Sequence, residues 1–218
     1  MSEKIATVVI VDDHPLFRER LCQLINNEPD LKVSGEAETA ESAVQLVRTA
    51  PPDLAIVDIT LKGSSGLELT KTLRALSISL PILVLSMHDE SLYAERALRA
   101  GATGYITKNQ AADEVLVAVR RVLAGEVYVS ERMTSAFLKN VASAGSRMTA
   151  RPIDRLTDRE FEVLELIGRG QTTRAIAEAL RVGVATVDTY RARIKEKMNF
   201  RSGTELQHFA IRWVGERE

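Results

Sequence analysis

Short apolar runs alternate with segments of helical periodicity through the first 125 residues of this 218-residue chain. The runs have the length of strands and lie at residues 6–12, 31–37, 53–58, 81–86 and 104–107. The helical segments lie near residues 15–27, 40–50, 66–76, 90–100 and 112–124. Strand–helix units of this length need right-handed crossovers, which bring the strands into one parallel sheet with helices on both faces. The first part of the chain is therefore predicted to be an α/β domain.

Polar side chains stand where these apolar runs end. Asp12 and Asp13 follow the first strand, Asp58 ends the third, and Ser86 and Lys108 end the fourth and fifth. A doubly wound five-stranded parallel sheet most naturally takes the flavodoxin-like order 2-1-3-4-5, in which the ends of strands 1 and 3 flank the crevice where ligands bind. We therefore expect three carboxylates, one hydroxyl and one ammonium to meet in a single pocket.

This set of groups is suited to Mg²⁺ and a phosphoryl group. Mg²⁺ prefers one or two carboxylates together with water and phosphate oxygens. A carboxylate such as Asp58 can attack phosphorus and become an aspartyl phosphate, while the Lys108 ammonium neutralises the phosphoryl oxygens. Taken singly, the aspartates could be helix caps, Lys108 a solvated surface lysine and Ser86 a strand terminus. The joint pattern favours phosphoryl chemistry.

The alternation stops after residue 125, and the rest of the chain has a different organisation. Ser130 can begin a helix over about 130–141, and a stretch poor in bulky residues follows at 143–152. Four short helices are predicted beyond it, with a capping box at Thr157 and a tight turn at Gly183 that is typical of a helix-turn-helix. We expect a first domain at 1–127, a linker at 128–152 containing the helix near 130–141, and a small all-α domain at 153–218.

Charge is distributed unevenly along the chain. The net charge is −1, but residues 1–150 carry 16 basic and 19 acidic residues, whereas residues 151–218 carry 13 and 11. Residues 181–201 contain six basic side chains against two acidic ones. This stripe fits a polyanionic partner, although a solvated helix face would have the same composition.

The cysteine count and the length of the apolar runs limit the cellular compartment in which the protein is expected to function. Cys22 is the only cysteine, which excludes an internal disulfide and favours a reducing compartment. No apolar run approaches the roughly 20 residues of a membrane span, and nothing at the start of the sequence resembles a signal peptide. We expect a cytoplasmic protein with no membrane partner.

At the residues already singled out, the chain resembles the receiver domain of bacterial two-component response regulators. The motifs that carry the resemblance are Val11-Asp12-Asp13-His14-Pro15, Val57-Asp58-Ile59, Leu85-Ser86-Met87-His88 and Gly101-Ala102-Thr103-Gly104-Tyr105-Ile106-Thr107-Lys108. The tail resembles the LuxR-type helix-turn-helix through Leu156-Thr157-Asp158-Arg159-Glu160-Phe161-Glu162-Val163-Leu164, Ile176-Ala177-Glu178-Ala179-Leu180 and Thr186-Val187. Together these matches are similar to the NarL/FixJ subfamily over essentially the whole chain.

The resemblance implies a phosphoacceptor rather than a turnover enzyme. A sensor histidine kinase or a phosphotransfer protein would phosphorylate Asp58. Asp12 and Asp13 would bind Mg²⁺ with Asp58, and a backbone carbonyl near Thr60 would complete the metal site. The phosphorylated protein would form a homodimer and bind double-stranded DNA.

The resemblance also implies a switch next to the phosphoacceptor. The Ser86 hydroxyl would move to the phosphoryl group, and the Tyr105 ring would rotate into the space left behind. The position of Tyr105 is also compatible with an ordinary strand aromatic. Thr60 and His88 occupy positions that, in the family, tune the lifetime of the phosphoryl group.

In the tail, a helix over about 185–198 is predicted to read DNA. With Val187, Ile194 and Met198 inward, its outward face would reach base edges in the major groove. The residues on that face and its flanks are Asp188, Thr189, Ala192, Arg193, Lys195 and Glu196. Arg174, Lys197 and Arg201 would hold phosphates, which adds affinity without sequence information.

Three positions depart from the family pattern. Asp188 stands where a basic residue is frequent, Tyr190 where histidine is common, and Thr173 where asparagine is usual. The departures leave open a degenerate helix-turn-helix that binds protein or RNA as a phosphorylation-dependent interaction switch. An autonomous Mg²⁺ phosphohydrolase is less favoured, because Thr60 stands where a second acid would protonate the leaving group.

Overall fold

The computed structural model describes residues 5–77, 79–110, 112–135 and 152–216. The chain divides into two compact units, Met1–Asn140 and Val141–Glu218. No helix among the described residues combines the length and the apolar character that crossing a membrane requires.

The first unit is a parallel sheet that alternates with helices. Its elements are β1 (Ala6–Val11), α1 (Pro15–Asn26), β2 (Leu31–Ala37), α2 (Ala40–Thr49), β3 (Leu54–Asp58), α3 (Gly66–Leu76), β4 (Ile82–Ser86), α4 (Glu90–Arg99), β5 (Gly104–Thr107) and α5 (Ala112–Leu123). All four strand pairings are parallel, and the strands lie in the order 2-1-3-4-5. The predicted fold class and strand order are confirmed.

The core lies on both faces of this sheet, because successive strand residues point to opposite sides. Val8 and Ile10 of β1 pack with α1 and α5, whereas Val9 and Val11 pack with α2 and α3. Strands β3 and β4 are buried along their whole length. The residues that follow these buried strands at the carboxyl edge of the sheet therefore lie next to one another.

A short antiparallel ribbon, which the sequence did not predict, follows β3. It pairs Thr60–Leu61 with Ser64–Ser65. Helix α3 begins directly after it at Gly66, where an added Cβ would lie 1.8 Å from the main-chain oxygen of Asp58. The Gly66 N–H also donates to the Ile59 oxygen at 2.6 Å. Glycine is thus required where α3 approaches the backbone of Asp58.

Residues 128–135 belong to the first unit, and Tyr128 lies beside β5. The Tyr128 N–H donates to the Thr103 oxygen at 3.1 Å, and the Tyr105 N–H donates to the Tyr128 oxygen at 2.8 Å. Residues 131–135 are helical, and the Ser130 hydroxyl accepts from the Met133 N–H at 3.2 Å. This is the start of the helix expected near 130–141; its continuation and most of the expected linker lie outside the described residues.

The second unit consists of short helices. They are a 3₁₀ turn at Pro152–Arg155, α6 (Asp158–Gly168), α7 (Thr173–Ala179), α8 (Val184–Met198) and α9 (Gly203–Gly215). The Thr157 hydroxyl accepts from the Glu160 N–H at 3.3 Å, and the Glu160 carboxylate accepts from the Thr157 N–H at 2.8 Å, so the predicted capping box is present. Four α-helices were expected in the tail, and the described residues contain all four.

The turn between α7 and α8 holds an arginine in a left-handed conformation. Arg181 has φ 53°. Its N–H donates to the Glu178 oxygen at 3.1 Å, and the next N–H, of Val182, donates to the Ala177 oxygen at 3.0 Å. This is a Schellman end to α7, whose left-handed position glycine usually occupies. The helix-turn-helix geometry is thus kept without glycine there.

Candidate functional site

Three aspartates converge at the carboxyl edge of the sheet. Asp12 and Asp13 follow β1 and Asp58 ends the adjacent β3; the three side chains are at most 4% exposed. One ligand atom from each lies within 4.8 Å of the others and of an imidazole nitrogen of His14. Like charges at this separation repel strongly in a buried site, so the pocket favours a cation.

Lys108 supplies one cation. It follows β5, and its buried ammonium lies 2.6 Å from Asp12 Oδ2 and 2.7 Å from Asp58 Oδ2. The ammonium also lies 4.4 Å from the centre of the Phe17 ring. The main-chain N–H of Lys108 donates to the main-chain oxygen of Ser86 at 2.7 Å, which holds the loop that carries the lysine.

Burial makes Asp58 a weaker acid than an ordinary aspartate. Desolvation raises the pKa of Asp58 from 3.8 to about 6, although the charge of Lys108 lowers it; the neighbouring Asp12 raises it further. The Thr60 N–H donates to Asp58 Oδ1 at 3.3 Å and acts in the lowering direction. Above about pH 6 the side chain is therefore a carboxylate, the form that can act as a nucleophile.

The residues present fit a divalent cation with oxygen ligands. Carboxylate oxygens of Asp12, Asp13 and Asp58 are the donor type that Mg²⁺ prefers, and the cluster is compact enough for a single ion. Arg18 donates to the main-chain oxygen of Asp12 at 2.7 Å, which holds the end of β1 in place. Sequence reasoning did not single out Arg18, because a guanidinium four residues after His14 reads as an ordinary helix-surface charge.

The two expected switch residues meet at His88. Ser86 is fully buried, and its hydroxyl accepts from the His88 N–H at 3.1 Å. Tyr105 is also fully buried, and its hydroxyl donates to the His88 oxygen at 2.9 Å. Ser86 and Tyr105 are therefore both held by the main chain of His88.

Thr60 and His88, which were expected to tune the phosphoryl group, contact each other. The Thr60 hydroxyl and His88 Nε2 are 3.0 Å apart. The His88 ring packs on Tyr93 of α4, with the ring centres 4.4 Å apart. Because the Thr60 N–H donates to Asp58, this contact links the loop after Asp58 to the start of α4.

In the second unit, α8 presents the face that was expected to read DNA. Val187 and Ile194 are fully buried, whereas Met198 is only partly buried. The exposed residues include Asp188, Thr189, Ala192, Arg193 and Glu196, and Lys195 is partly buried. The Thr189 hydroxyl donates to the Ala185 oxygen at 2.9 Å.

The expected phosphate-binding residues differ in their surroundings. The Arg174 side chain is 86% exposed, with a long 3.6 Å contact to Glu178. Arg201 is exposed as well. Lys197, in contrast, lies 2.6 Å from the buried carboxylate of Glu160, so a DNA phosphate would have to compete with this ion pair.

A doubly wound sheet with an acidic pocket and a buried lysine, joined to a helix-turn-helix, defines a receiver-type switch protein with a DNA-binding output. The family model "Response regulator receiver domain" matches residues 8–120, and the model "Bacterial regulatory proteins, luxR family" matches residues 154–210. The chain belongs to the NarL/FixJ family of response regulators. It is a transcription regulator that combines a receiver with a LuxR-type helix-turn-helix.

Curated relatives and solved structures agree with this assignment. The response regulator UvrY of Escherichia coli (strain K12) is 32% identical over 205 residues, which cover 94% of this chain and 93% of UvrY. The nitrate/nitrite response regulator protein NarL of the same strain is 33% identical over 213 residues, covering 98% and 96%. A solved LuxR-family response regulator from Aurantimonas sp. SI85-9A1 is 34% identical with a TM-score of 0.60; the match covers 64% of this chain and 99% of that one.

Proposed function

We propose that this regulator accepts a phosphoryl group on Asp58 from a sensor histidine kinase or a phosphotransfer protein. The phosphorylated form then dimerises and binds specific sites in double-stranded DNA, which places its action in the cytoplasm. The observation that carries the proposal is the position of Asp58. Its buried carboxylate ends β3 at the acidic pocket and is paired with the Lys108 ammonium at 2.7 Å.

The proposed reaction is an in-line transfer of the phosphoryl group from a histidine nitrogen of the donor to a carboxylate oxygen of Asp58. A carboxylate oxygen of Asp58 attacks phosphorus, the P–N bond of the donor phosphohistidine breaks, and its electron pair stays on the departing imidazole. Lys108 neutralises charge on the phosphoryl oxygens. Since Thr60 is not an acid, turnover of phosphate esters is not expected, and we limit catalysis to self-phosphorylation and self-dephosphorylation.

Asp12, Asp13 and Asp58, together with the main-chain carbonyl of Thr60, would hold the Mg²⁺ ion. When bound, the ion supplies charge neutralisation for the carboxylates and the phosphoryl oxygens. The carboxylates of Asp12 and Asp58 keep Lys108 oriented in the same pocket. The transfer therefore depends on this chain for the nucleophile, the counter-charge and the alignment.

The signal leaves the pocket through His88. When the Ser86 hydroxyl turns to a phosphoryl oxygen, the His88 N–H loses the acceptor it now has. His88 is also bound through Tyr105, Thr60 and Tyr93, so the loop before α4 must find new partners. We propose that this loop and α4 form a two-state element whose unphosphorylated state restrains DNA binding or dimerisation. A shift from 1:99 to 99:1 needs about 5.5 kcal/mol of differential stabilisation.

Helix α8 is the proposed DNA reader. Its exposed positions 188, 189, 192 and 193 would lie in the major groove, with Lys195 on the flank. Arg174 and Arg201 would hold phosphates. Lys197 could join them only by exchanging its contact with Glu160.

One experiment tests the proposal as a whole. The full-length protein is incubated with acetyl phosphate and Mg²⁺ and compared with Asp58→Asn by phosphate-affinity gel, light scattering and selection of bound genomic fragments. We expect a phosphorylated dimer with enriched DNA fragments for the wild type and neither for the variant. Asp58→Asn that dimerises and binds DNA as the phosphorylated wild type does would contradict the proposal.

Asp188 supports a second candidate, an interaction switch that binds protein or RNA. An exposed carboxylate on the reading helix is repelled by DNA phosphates unless it accepts from a cytosine amino group. Titration with duplex libraries over a range of salt concentrations separates the two functions. A DNA reader loses affinity steeply with salt, whereas an absence of sequence-selective duplex binding at every salt concentration would favour the interaction switch.

A further inference from the structure

We propose that Glu90 latches the start of the linker to the receiver, and that phosphorylation opens this latch at Ser130. The latch is the hydrogen bond that the Ser130 N–H donates to the Glu90 carboxylate at 2.8 Å. The inference rests on the proposed function and names the contact through which the start of α4 acts on the chain that follows the receiver.

Tyr128 fixes the chain just before the latch on the edge of the sheet. Its N–H donates to the Thr103 oxygen at 3.1 Å and its oxygen accepts from the Tyr105 N–H at 2.8 Å, so it pairs with β5 as a parallel strand residue does. Gly104 lies opposite and leaves room for it, because an added Cβ would lie 3.1 Å from Tyr128 Cβ. These are main-chain contacts with a strand of the sheet, so we expect them to persist in both states.

Ser130, two residues later, is held in a different way. Its N–H donates to a side chain, that of Glu90, which is the first residue of α4. A hydrogen bond to a carboxylate is about twice as strong as a neutral one, so this contact stabilises the closed latch. Both residues are only partly buried, so water can replace the carboxylate without leaving a buried N–H unpaired. The contact can therefore open reversibly.

Glu90 lies where the signal from the pocket arrives. It follows His88 by two residues, and the main chain of His88 is held by the two switch residues. Asp89, between them, caps α4 by accepting from the Ser91 N–H at 2.7 Å. A change in the backbone at His88 therefore shifts the first turn of α4 and the Glu90 carboxylate with it, while Tyr128 stays on β5.

Ser130 also determines where the next helix begins. Its hydroxyl accepts from the Met133 N–H at 3.2 Å, and its main-chain oxygen accepts from the Thr134 N–H at 2.9 Å. Ser130 is thus the N-cap of this helix, and Glu90 holds the cap residue from outside the helix. Opening the latch frees the first turn, which carries the effect of phosphorylation into the sequence that leads to the helix-turn-helix.

Amide hydrogen exchange of the full-length protein tests the latch, because exchange reports local opening. In the wild type, acetyl phosphate with Mg²⁺ should speed exchange of the Ser130 amide about tenfold, since a hydrogen bond to a charged group contributes at least about 1.4 kcal/mol, the free energy of that factor. The Tyr128 amide should stay slow. Glu90→Ala should show fast Ser130 exchange without acetyl phosphate and change little when it is added. Glu90→Gln, which keeps an acceptor oxygen, should lie between the two.

Two controls distinguish opening of the latch from general destabilisation. The amides of β3 are an internal reference, because global unfolding would speed their exchange as well. Glu41→Ala removes an exposed carboxylate from the first turn of α2, which packs against β2 at the opposite edge of the sheet. This variant should leave exchange at Ser130 unchanged.

The outcomes separate this inference from the proposed function. If Asp58 is labelled and the wild type dimerises while exchange at Ser130 does not change, the latch does not respond to phosphorylation and the inference is wrong. Slow Ser130 exchange in unphosphorylated Glu90→Ala would also overturn it, because the carboxylate would then not hold the amide. If acetyl phosphate does not label Asp58, the proposed function itself is wrong and the latch has no signal to open it.

Discussion

At the scale of single residues, function and stability conflict at Asp58. Its carboxylate is taken out of water among two other aspartates, and Lys108 compensates this only in part. Raising the pKa of a carboxyl from 3.8 to about 6 means that the ionised form is destabilised in the folded protein by about 3 kcal/mol at most. The proposed phosphoacceptor is thus a residue whose removal is expected to stabilise the fold.

Asp58→Asn is expected to stabilise the first unit in a pH-dependent way. The pKa of Asp58 in the folded state lies above that of the unfolded chain, so the folded protein binds more protons and loses stability as pH rises from about 4 through 6. The variant should gain up to about 3 kcal/mol at pH 7.5, and the gain should disappear near pH 4. Calorimetric unfolding across this range measures it, with saturating Mg²⁺ expected to reduce the difference. A gain that does not vary with pH would show that burial of charge is not its cause.

Arg181 is a second residue that lowers stability, in this case through its backbone conformation. A non-glycine side chain in the left-handed region is destabilised by about 1 kcal/mol, and glycine is the usual residue at this position of a Schellman turn. We expect Arg181→Gly to stabilise the second unit by about 0.5 to 1 kcal/mol. Urea unfolding followed by Trp213, the only tryptophan in the chain and a residue of α9, reports this directly. Lower stability would mean that contacts of the arginine side chain outweigh the backbone strain.

At the scale of elements, the start of α3 lies against the backbone of Asp58. Gly66 lets the helix begin against the Asp58 carbonyl, and the preceding ribbon leads the chain back to that point. Since the obstructing atoms are backbone, they cannot move aside as a flexible side chain would. The start of α3 therefore holds the main chain of Asp58 in place, whereas Lys108 holds its carboxylate.

Gly66→Ala is expected to damage both folding and phosphorylation. An added Cβ would clash with the Asp58 oxygen, so α3 or the end of β3 must shift, with a loss of stability of about 1 to 3 kcal/mol. Thermal unfolding and the rate of labelling by acetyl phosphate measure the two effects. Gly203→Ala is the control, because a Cβ there would meet no atom of the described residues within 4 Å. Wild-type labelling in Gly66→Ala would show that the position of α3 does not matter to Asp58.

Periodicity and topology predicted the elements and the pocket, because strand ends in a doubly wound sheet meet at one edge. Asp12, Asp58 and Lys108 could therefore be grouped although 96 residues separate the first from the last. The ribbon after β3 could not be predicted, since two-residue strands have no periodicity to detect. The Lys197–Glu160 pair joins different helices, so the pattern along α8 alone gives no sign of it.

At the scale of the whole molecule, net charge opposes the proposed binding of DNA by the phosphorylated protein. Residues 1–150 carry a net charge of −3 and residues 151–218 a net charge of +2, and a phosphoryl group adds about −1.5 to −2. Electrostatics alone would make the phosphorylated protein bind DNA more weakly. A gain in affinity on phosphorylation must therefore come from a conformational change or from dimerisation, which doubles the number of cationic contacts.

The salt dependence of DNA binding is expected to show this doubling. Each phosphate contact contributes about −0.9 to the slope of log affinity against log salt, so the phosphorylated dimer should have about twice the slope of the unphosphorylated monomer. Arg174→Ala should reduce the slope by about 0.9 per protomer and leave the preferred base sequence unchanged, because this exposed side chain is proposed to hold a phosphate. Arg20→Ala removes an exposed cation of α1 instead and should leave the slope as it is. Equal slopes before and after phosphorylation, with higher affinity after it, would mean that the gain arises within one protomer rather than from a second reading helix.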